Sequence, residues 1–183
     1  DLELQVGAPI AFDNDANCFA LAEAKLGAGS NHDASVVFGV IMGTGVGGGI
    51  AMRQASGWST WAGRHGIAGE WGHVSLEPHD GPPCYCGRRG CIERYLSGPA
   101  IEASYATRGG VGRPLAEIAK LAEANDEAAV GTLERAVEHF GRALSVVLNV
   151  LDPDVVVLGG GVSNLEIFTH RGPTEVARWL FND

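Results

Sequence analysis

The hydrophobic pattern switches repeatedly between a strand period and a helix period. Residues 7–12 (GAPIAF) are apolar and short, and they end in Asp13, Asn14 and Asp15, which predicts a strand followed by a polar corner. Residues 16–26 are rich in helix formers, with Phe19, Ala22 and Leu26 on one face. Asp15 is placed to cap that helix, and Gly27 and Gly29 end it. Residues 35–42 (SVVFGVIM) are β-branched and apolar and predict a buried strand. Residues 43–49 (GTGVGGG) and the apolar residues 50–52 follow, so strand, glycine turn and strand form a β-hairpin. Residues 53–67 show no period and predict an irregular loop with room for one short strand.

The second half is more helical. Residues 97–107 and 114–124 predict helices, with Pro114 in the first turn of the second. Residues 126–150 predict the longest helix, on which Leu133, Val137, Phe140, Leu144, Val147 and Leu148 recur at helical spacing. Pro153 ends it. Residues 154–158 (DVVVL) predict a strand buried on both faces, as at the centre of a parallel sheet. Gly159, Gly160 and Gly161 follow it directly, and residues 174–181 predict a last helix. Strands alternating with helices make the class α/β, without repeats or linkers.

Composition narrows what such a domain does. The 183 residues suit one domain, or one and a fragment, and 45% apolar content is enough for a core. With 13 Lys and Arg against 22 Asp and Glu, the net charge of −9 argues against a nucleic-acid groove. It leaves phosphorylated ligands open, because backbone amides bind phosphate without lysine. Four cysteines are too few for a disulfide scaffold, and no signal peptide or bilayer-length apolar run is present, so the cytoplasm is expected, with no membrane partner. The chain has no initiating Met and begins as if mid-domain, so a fragment is expected.

Three of the cysteines fall in one stretch, residues 69–93, GEWGHVSLEPHDGPPCYCGRRGCIE. Cys84, Cys86 and Cys91 with one histidine offer the tetrahedral set that zinc prefers, and a site with every position filled by protein is structural. His73 is the fourth ligand of choice, ahead of His79 and His65. The short spacing between Cys84 and Cys86 differs from zinc-finger spacing, and free thiols that happen to lie close are the alternative. Asn14 and Asp15 serve as helix caps or as a cleft carboxylate acting as general base, two roles that are compatible. GTGVGGG serves a tight hairpin or a phosphate nest, to which Thr44 adds a hydroxyl. The glycines after DVVVL stand where nucleotides dock on parallel sheets, though close helix packing explains them too.

NDANCFALAEA, IMGTGVGGGI, GEWGH with CYCGRRGCIE, and LDPDVVVLGGGVSN, in this order over residues 9–164, resemble the ROK family of bacterial sugar kinases and repressors. Within it the AGEWGH and CYCG wording leans toward fructokinases over N-acetylglucosamine kinases. The resemblance implies an actin-like ATPase (ribonuclease H-like) fold with sugar and ATP between two lobes. It implies Asp15 as the base, and Asn14, Glu70, His73 and Glu93 on sugar hydroxyls, with His73 giving one nitrogen to zinc and the other to the sugar. Gly43, Thr44 and Gly45 would meet phosphate, Gly159, Gly160 and Gly161 the adenosine, and Mg²⁺ would bridge the phosphates. Residues 1–14 would end the small lobe and residues 15–183 make up the large one, in a homodimer. The family's first phosphate loop is not found here, and the match weakens after Asn164. A kinase on hexoses (fructose, glucose, mannose or N-acetylglucosamine) is therefore expected of the parent protein and not of these residues alone. A sugar-sensing repressor with its DNA-binding domain outside the chain, and a purely structural zinc module, are the competing readings.

Overall fold

The computed structural model describes residues 1–31 and 33–181. The chain opens with a short helix α1 (Leu2–Val6), in which no residue is buried. Residues 7–12 do not form the expected strand: Gly7 terminates α1 in the left-handed region (φ 70°), and the segment runs on as exposed coil with only Ile10 partly covered. A short apolar run becomes a strand only if it finds a pairing partner, and this one has none among the described residues.

Helix α2 (Asp15–Leu26) starts one residue earlier than the pattern predicts and buries Ala16, Asn17, Ala20 and Ala24. The expected face of Phe19, Ala22 and Leu26 is the wrong one: Ala22 is exposed, Leu26 is 88% exposed, and only Phe19 is partly covered. The small residues face inward because the helix lies close against a sheet.

That sheet has four strands in the order β3-β2-β1-β4. Strands β1 (Val36–Met42) and β2 (Val46–Gln54) form the expected hairpin, closed by the Met42–Val46 pair, and β3 (Gly57–Thr60) extends it antiparallel. Alternation along β1 divides the core. Val37 faces α2 with Ala20, Ala24, Ala51 and Val157, while Phe38, Val40 and Met42 face the opposite layer.

That layer is helical. A four-residue helix α3 (Glu93–Leu96) leads to α4 (Gly98–Thr107), capped by the Ser97 side chain on the Ala100 amide, and to α5 (Leu115–Glu123), with Pro114 just ahead of the helix and not in its first turn. Helix α6 (Glu127–Leu151) is capped by Asp126 and presents Leu133, Val137, Phe140 and Leu144 to the sheet, with Val147 and Leu148 half-buried.

Strand β4 (Val155–Gly159) runs parallel to β1, and among the described residues it pairs with no other strand. Its residues are accordingly half-buried except Val157. Asp154 Oδ2 accepts the Ser35 and Val36 amides at 2.9 and 2.8 Å, which aligns β4 with β1. Beyond it, α7 (Glu166–His170) and α8 (Gly172–Ala177) replace the single predicted helix, because Pro173 restarts the helix in its first turn. Among the described residues no helix is long and apolar enough to cross a membrane.

Candidate active site

Asp13, expected only as part of a polar corner, fixes that corner before α2. Its Oδ1 accepts the Asn17 side chain at 2.7 Å and the Asn14 amide at 2.9 Å, and its Oδ2 accepts the Thr60 hydroxyl at 2.8 Å. These bonds, Asn17 foremost, hold its carboxyl below the ordinary value of 3.8. Asn14, not Asp15, caps α2: Asn14 Oδ1 accepts the Asn17 amide at 2.7 Å. Both residue types cap well, and the extended backbone of Asn14 decides between them. Asp15 is thus the first helical residue, exposed, with Oδ1 on the Ala16 amide at 2.9 Å.

The glycine run divides into two parts. Only Gly43, Thr44 and Gly45 make the turn, tightened by the Gly43 amide donating to the Gly45 carbonyl at 2.9 Å, whereas Gly47, Gly48 and Gly49 lie within β2. A Cβ on Gly49 would run into the backbone of Ala16. The missing side chain lets the first turn of α2 rest on β2, which brings Asp15 beside the hairpin.

The cysteine loop closes the other side. Trp71 Nε1 donates to the Gly47 carbonyl at 2.7 Å and seats a tight helical turn, Trp71–His73, on β2. The Ile92 amide donates to the Val74 carbonyl at 2.9 Å, so the loop returns beside its own start and places Glu93 opposite Glu70. Glu93 Oε2 accepts the Val46 amide at 3.1 Å, and a Cβ on Gly45 would lie 2.7 Å from that oxygen. Glu93 therefore holds the hairpin itself.

His73, Cys84, Cys86 and Cys91 form a cluster whose ligand atoms all lie within 4.8 Å of one another. His73 Nδ1 is 3.6 Å from Cys84 Sγ, and the Cys86 and Cys91 sulfurs are 3.5 Å apart. Thiolates about 2.3 Å from a tetrahedral zinc stand about 3.8 Å apart, so the donor set and its dimensions fit that ion. His65 and His79 are both exposed and outside the cluster. Hydrogen bonds from the Arg88 amide and guanidinium bring the Cys86 thiol down to about 6, while burial pushes Cys91 up to about 12. A cation is what would ionise the buried thiol.

Asn14, Asp15, Glu70, His73 and Glu93 line one cavity of about 450 Å³ together with Gly43, Thr44 and Gly45. Tyr85, which the sequence reading passes over, lines it as well. The signal was present: the residue between two clustered cysteines has to point away from the metal. Gly159, Gly160 and Gly161 are not part of this wall. They form a separate corner after β4, where Gly160 backs onto the Met42 carbonyl at the foot of the hairpin.

An α/β sandwich with carboxylates facing a glycine hairpin at the end of its central strands is an actin-like ATPase fold of the ribonuclease H-like kind. The model of the ROK family matches residues 1–183, and the chain belongs to that family. The match takes in the residues after Asn164. The chain is 37% identical to an N-acetyl-D-glucosamine kinase of Vibrio vulnificus (strain YJ016), over 100% of this chain and 61% of that protein. It thus spans about three fifths of the length of that relative. Among solved structures it superimposes on a ROK hexokinase from Thermus thermophilus with a TM-score of 0.84 at 35% identity, covering 97% of this chain and 60% of that one. A ROK family glucokinase from Streptomyces griseus, in complex with glucose and AMPPNP, also gives 0.84, at 32% identity over 99% of this chain and 62% of that one.

Proposed function

We propose that the protein carrying this chain transfers the γ-phosphoryl group of ATP to a hydroxyl of a hexose, with Asp15 as general base. The observation that supports this most is the single cavity in which Asp15 meets Glu70, His73 and Glu93 on one side and the Gly43–Thr44–Gly45 turn on the other. Carboxylates accept strong hydrogen bonds from sugar hydroxyls, and their directions read stereochemistry. Asn14, Glu70, His73 and Glu93 hold the sugar, and Asp15 takes the proton of the reacting hydroxyl. That oxygen bonds to the γ-phosphorus as the bond from phosphorus to the bridging oxygen breaks and ADP leaves. Phosphoryl transfer needs positioning and charge neutralisation more than covalent help, and a Mg²⁺ ion bound with the nucleotide would supply part of the latter.

In this reading the Gly43–Thr44–Gly45 turn faces the phosphates with the amides of Thr44 and Gly45 and the Thr44 hydroxyl, the Gly43 amide being held by the Gly45 carbonyl, and Gly159, Gly160 and Gly161 face the adenosine. His73, Cys84, Cys86 and Cys91 hold a structural zinc that stiffens the loop, lowering the entropic cost of ordering a small ligand. Residues 1–14, none of them buried, end a small lobe whose partner is the large lobe of residues 15–183. The protein is a homodimer, which light scattering checks.

For the substrate, the names of the similar proteins support an aldohexopyranose, N-acetyl-D-glucosamine or glucose, over the fructose toward which the loop wording leans. A repressor would need to sense sugar but not to deprotonate it, and a zinc module needs neither glycine corner, so both readings leave Asp15 beside the hairpin without a purpose. Asp15→Asn in the full-length protein tests the kinase. Sugar phosphorylation is expected to fall by about 10²–10⁴ while the sugar Kd stays within a few-fold. A retained rate refutes Asp15 as base, and a panel of hexoses with ATP reads the specificity.

A further inference from the structure

Among the described residues Tyr85 is the one polar side chain lining the cavity with no part in the reaction just described. It sits between Cys84 and Cys86, whose thiols both turn into the metal cluster, so its own side chain projects the other way and is 80% exposed. Its backbone is fixed, because the Cys84 amide donates to the Arg88 carbonyl at 2.8 Å and the Gly87 amide to the Cys84 carbonyl at 3.0 Å. Its ring stands edge-on to His73, with centroids 5.1 Å apart at 90°, and its hydroxyl is 2.9 Å from His73 Nε2. Among the described residues that hydroxyl has no other hydrogen-bond partner.

We propose that Tyr85 gates His73: its hydroxyl holds the hydrogen-bonding position on Nε2 that a sugar hydroxyl has to take, so Tyr85 lowers the sugar affinity of the site. The proposal rests on the hexose reading above. Nδ1 belongs to the cluster, which leaves Nε2 as the only ring nitrogen facing the cavity. With Nδ1 given to a metal, Nε2 carries the ring hydrogen and donates it. One N–H serves one acceptor well, so the sugar oxygen and the Tyr85 oxygen compete for it. The fixed backbone keeps the tyrosine within reach, and its exposure lets the side chain rotate away without disturbing the core. Trading one neutral hydrogen bond for another of similar geometry sets a modest penalty, roughly 2- to 10-fold in affinity.

The test is calorimetric titration of full-length protein with N-acetyl-D-glucosamine and with D-glucose, without nucleotide, for wild type, Tyr85→Phe and Tyr85→Leu. Zinc content is measured on each preparation. Both variants are expected to keep their zinc and to bind the preferred sugar roughly 2- to 10-fold more tightly, with KM falling by the same factor. Equal or weaker binding overturns the proposal, since a tyrosine that assists the sugar loses affinity when its hydroxyl is removed. Loss of zinc also overturns it, by making Tyr85 a prop of the metal loop. A wild-type protein that neither binds nor phosphorylates either sugar, nor any other hexose, refutes the hexose reading instead, a result separable from the behaviour of the variants.

Discussion

Glu93 serves two neighbours at once, lining the cavity and accepting the Val46 amide of the hairpin. Gly45→Ala would set a methyl group 2.7 Å from its Oε2, inside contact distance, and force the carboxylate off Val46. A hydrogen bond to a charged acceptor contributes about 1.5–3 kcal/mol at most, so the unfolding free energy is expected to fall by up to that amount, read by urea denaturation. A second residue sets a pH limit. His139 is half-buried, stacked on Tyr95 at 4.3 Å, and burial lowers its pKa from 6.5 to about 4. Tyr95 donates to Glu77, and Glu77 meets Arg142, so the imidazole forms part of a brace behind the cysteine loop. The unfolded chain takes up the proton near 6.5 and the folded one only near 4, so stability falls with pH across that window, by about 3 kcal/mol in all. Urea midpoints at pH 7 and pH 4.5 should drop less for His139→Phe than for wild type. At this scale the sequence reading located the polar groups well, because carboxylates and thiols flanked by glycine have few other uses. It misplaced the cap by one residue, gave Asp13 no role beyond the corner and overlooked Tyr85, because their roles depend on Thr60 and His73 elsewhere in the chain.

At the level of elements, the strongly periodic ones were legible. Helix α6 buries the predicted stripe, and Phe140→Ala, which empties its centre against Phe168 at a centroid distance of 5.4 Å, is expected to cost about 3–5 kcal/mol in urea unfolding. The hairpin was legible from its glycine turn, although three glycines assigned to that turn lie in β2. Helix α2 was misread because its inward face is alanine, chosen for close approach and carrying little periodic signal. The expected strand at residues 7–12 failed because a strand is defined by pairing, which a sequence does not display.

Across the whole molecule, three layers meet at one end of the sheet: α2 supplies Asp15, the β1–β2 turn supplies Thr44, and the cysteine loop supplies His73 and Glu93. The main hydrophobic cluster contains none of the cysteines and takes only Trp71, Ile92 and the half-buried Leu76 from residues 69–92. Chelating the metal is therefore expected to abolish sugar binding and expose residues 74–92 to proteolysis, while the far-ultraviolet circular dichroism of sheet and helices persists. Loss of that signal together with the zinc would show the loop to be part of the folding core. The order of layers was legible from alternating strands and helices, and DVVVL was legible as the strand beside β1 from its unbroken apolar run.

The grip of Glu93 on Val46 has one more consequence. Cys91 stands two residues before Glu93 on the same backbone, so the His–Cys cluster and the glycine turn are linked by a short lever. On the proposed reading, metal starvation would not remove the two substrates one after the other; carbohydrate capture and nucleotide capture would fail together, as a single event.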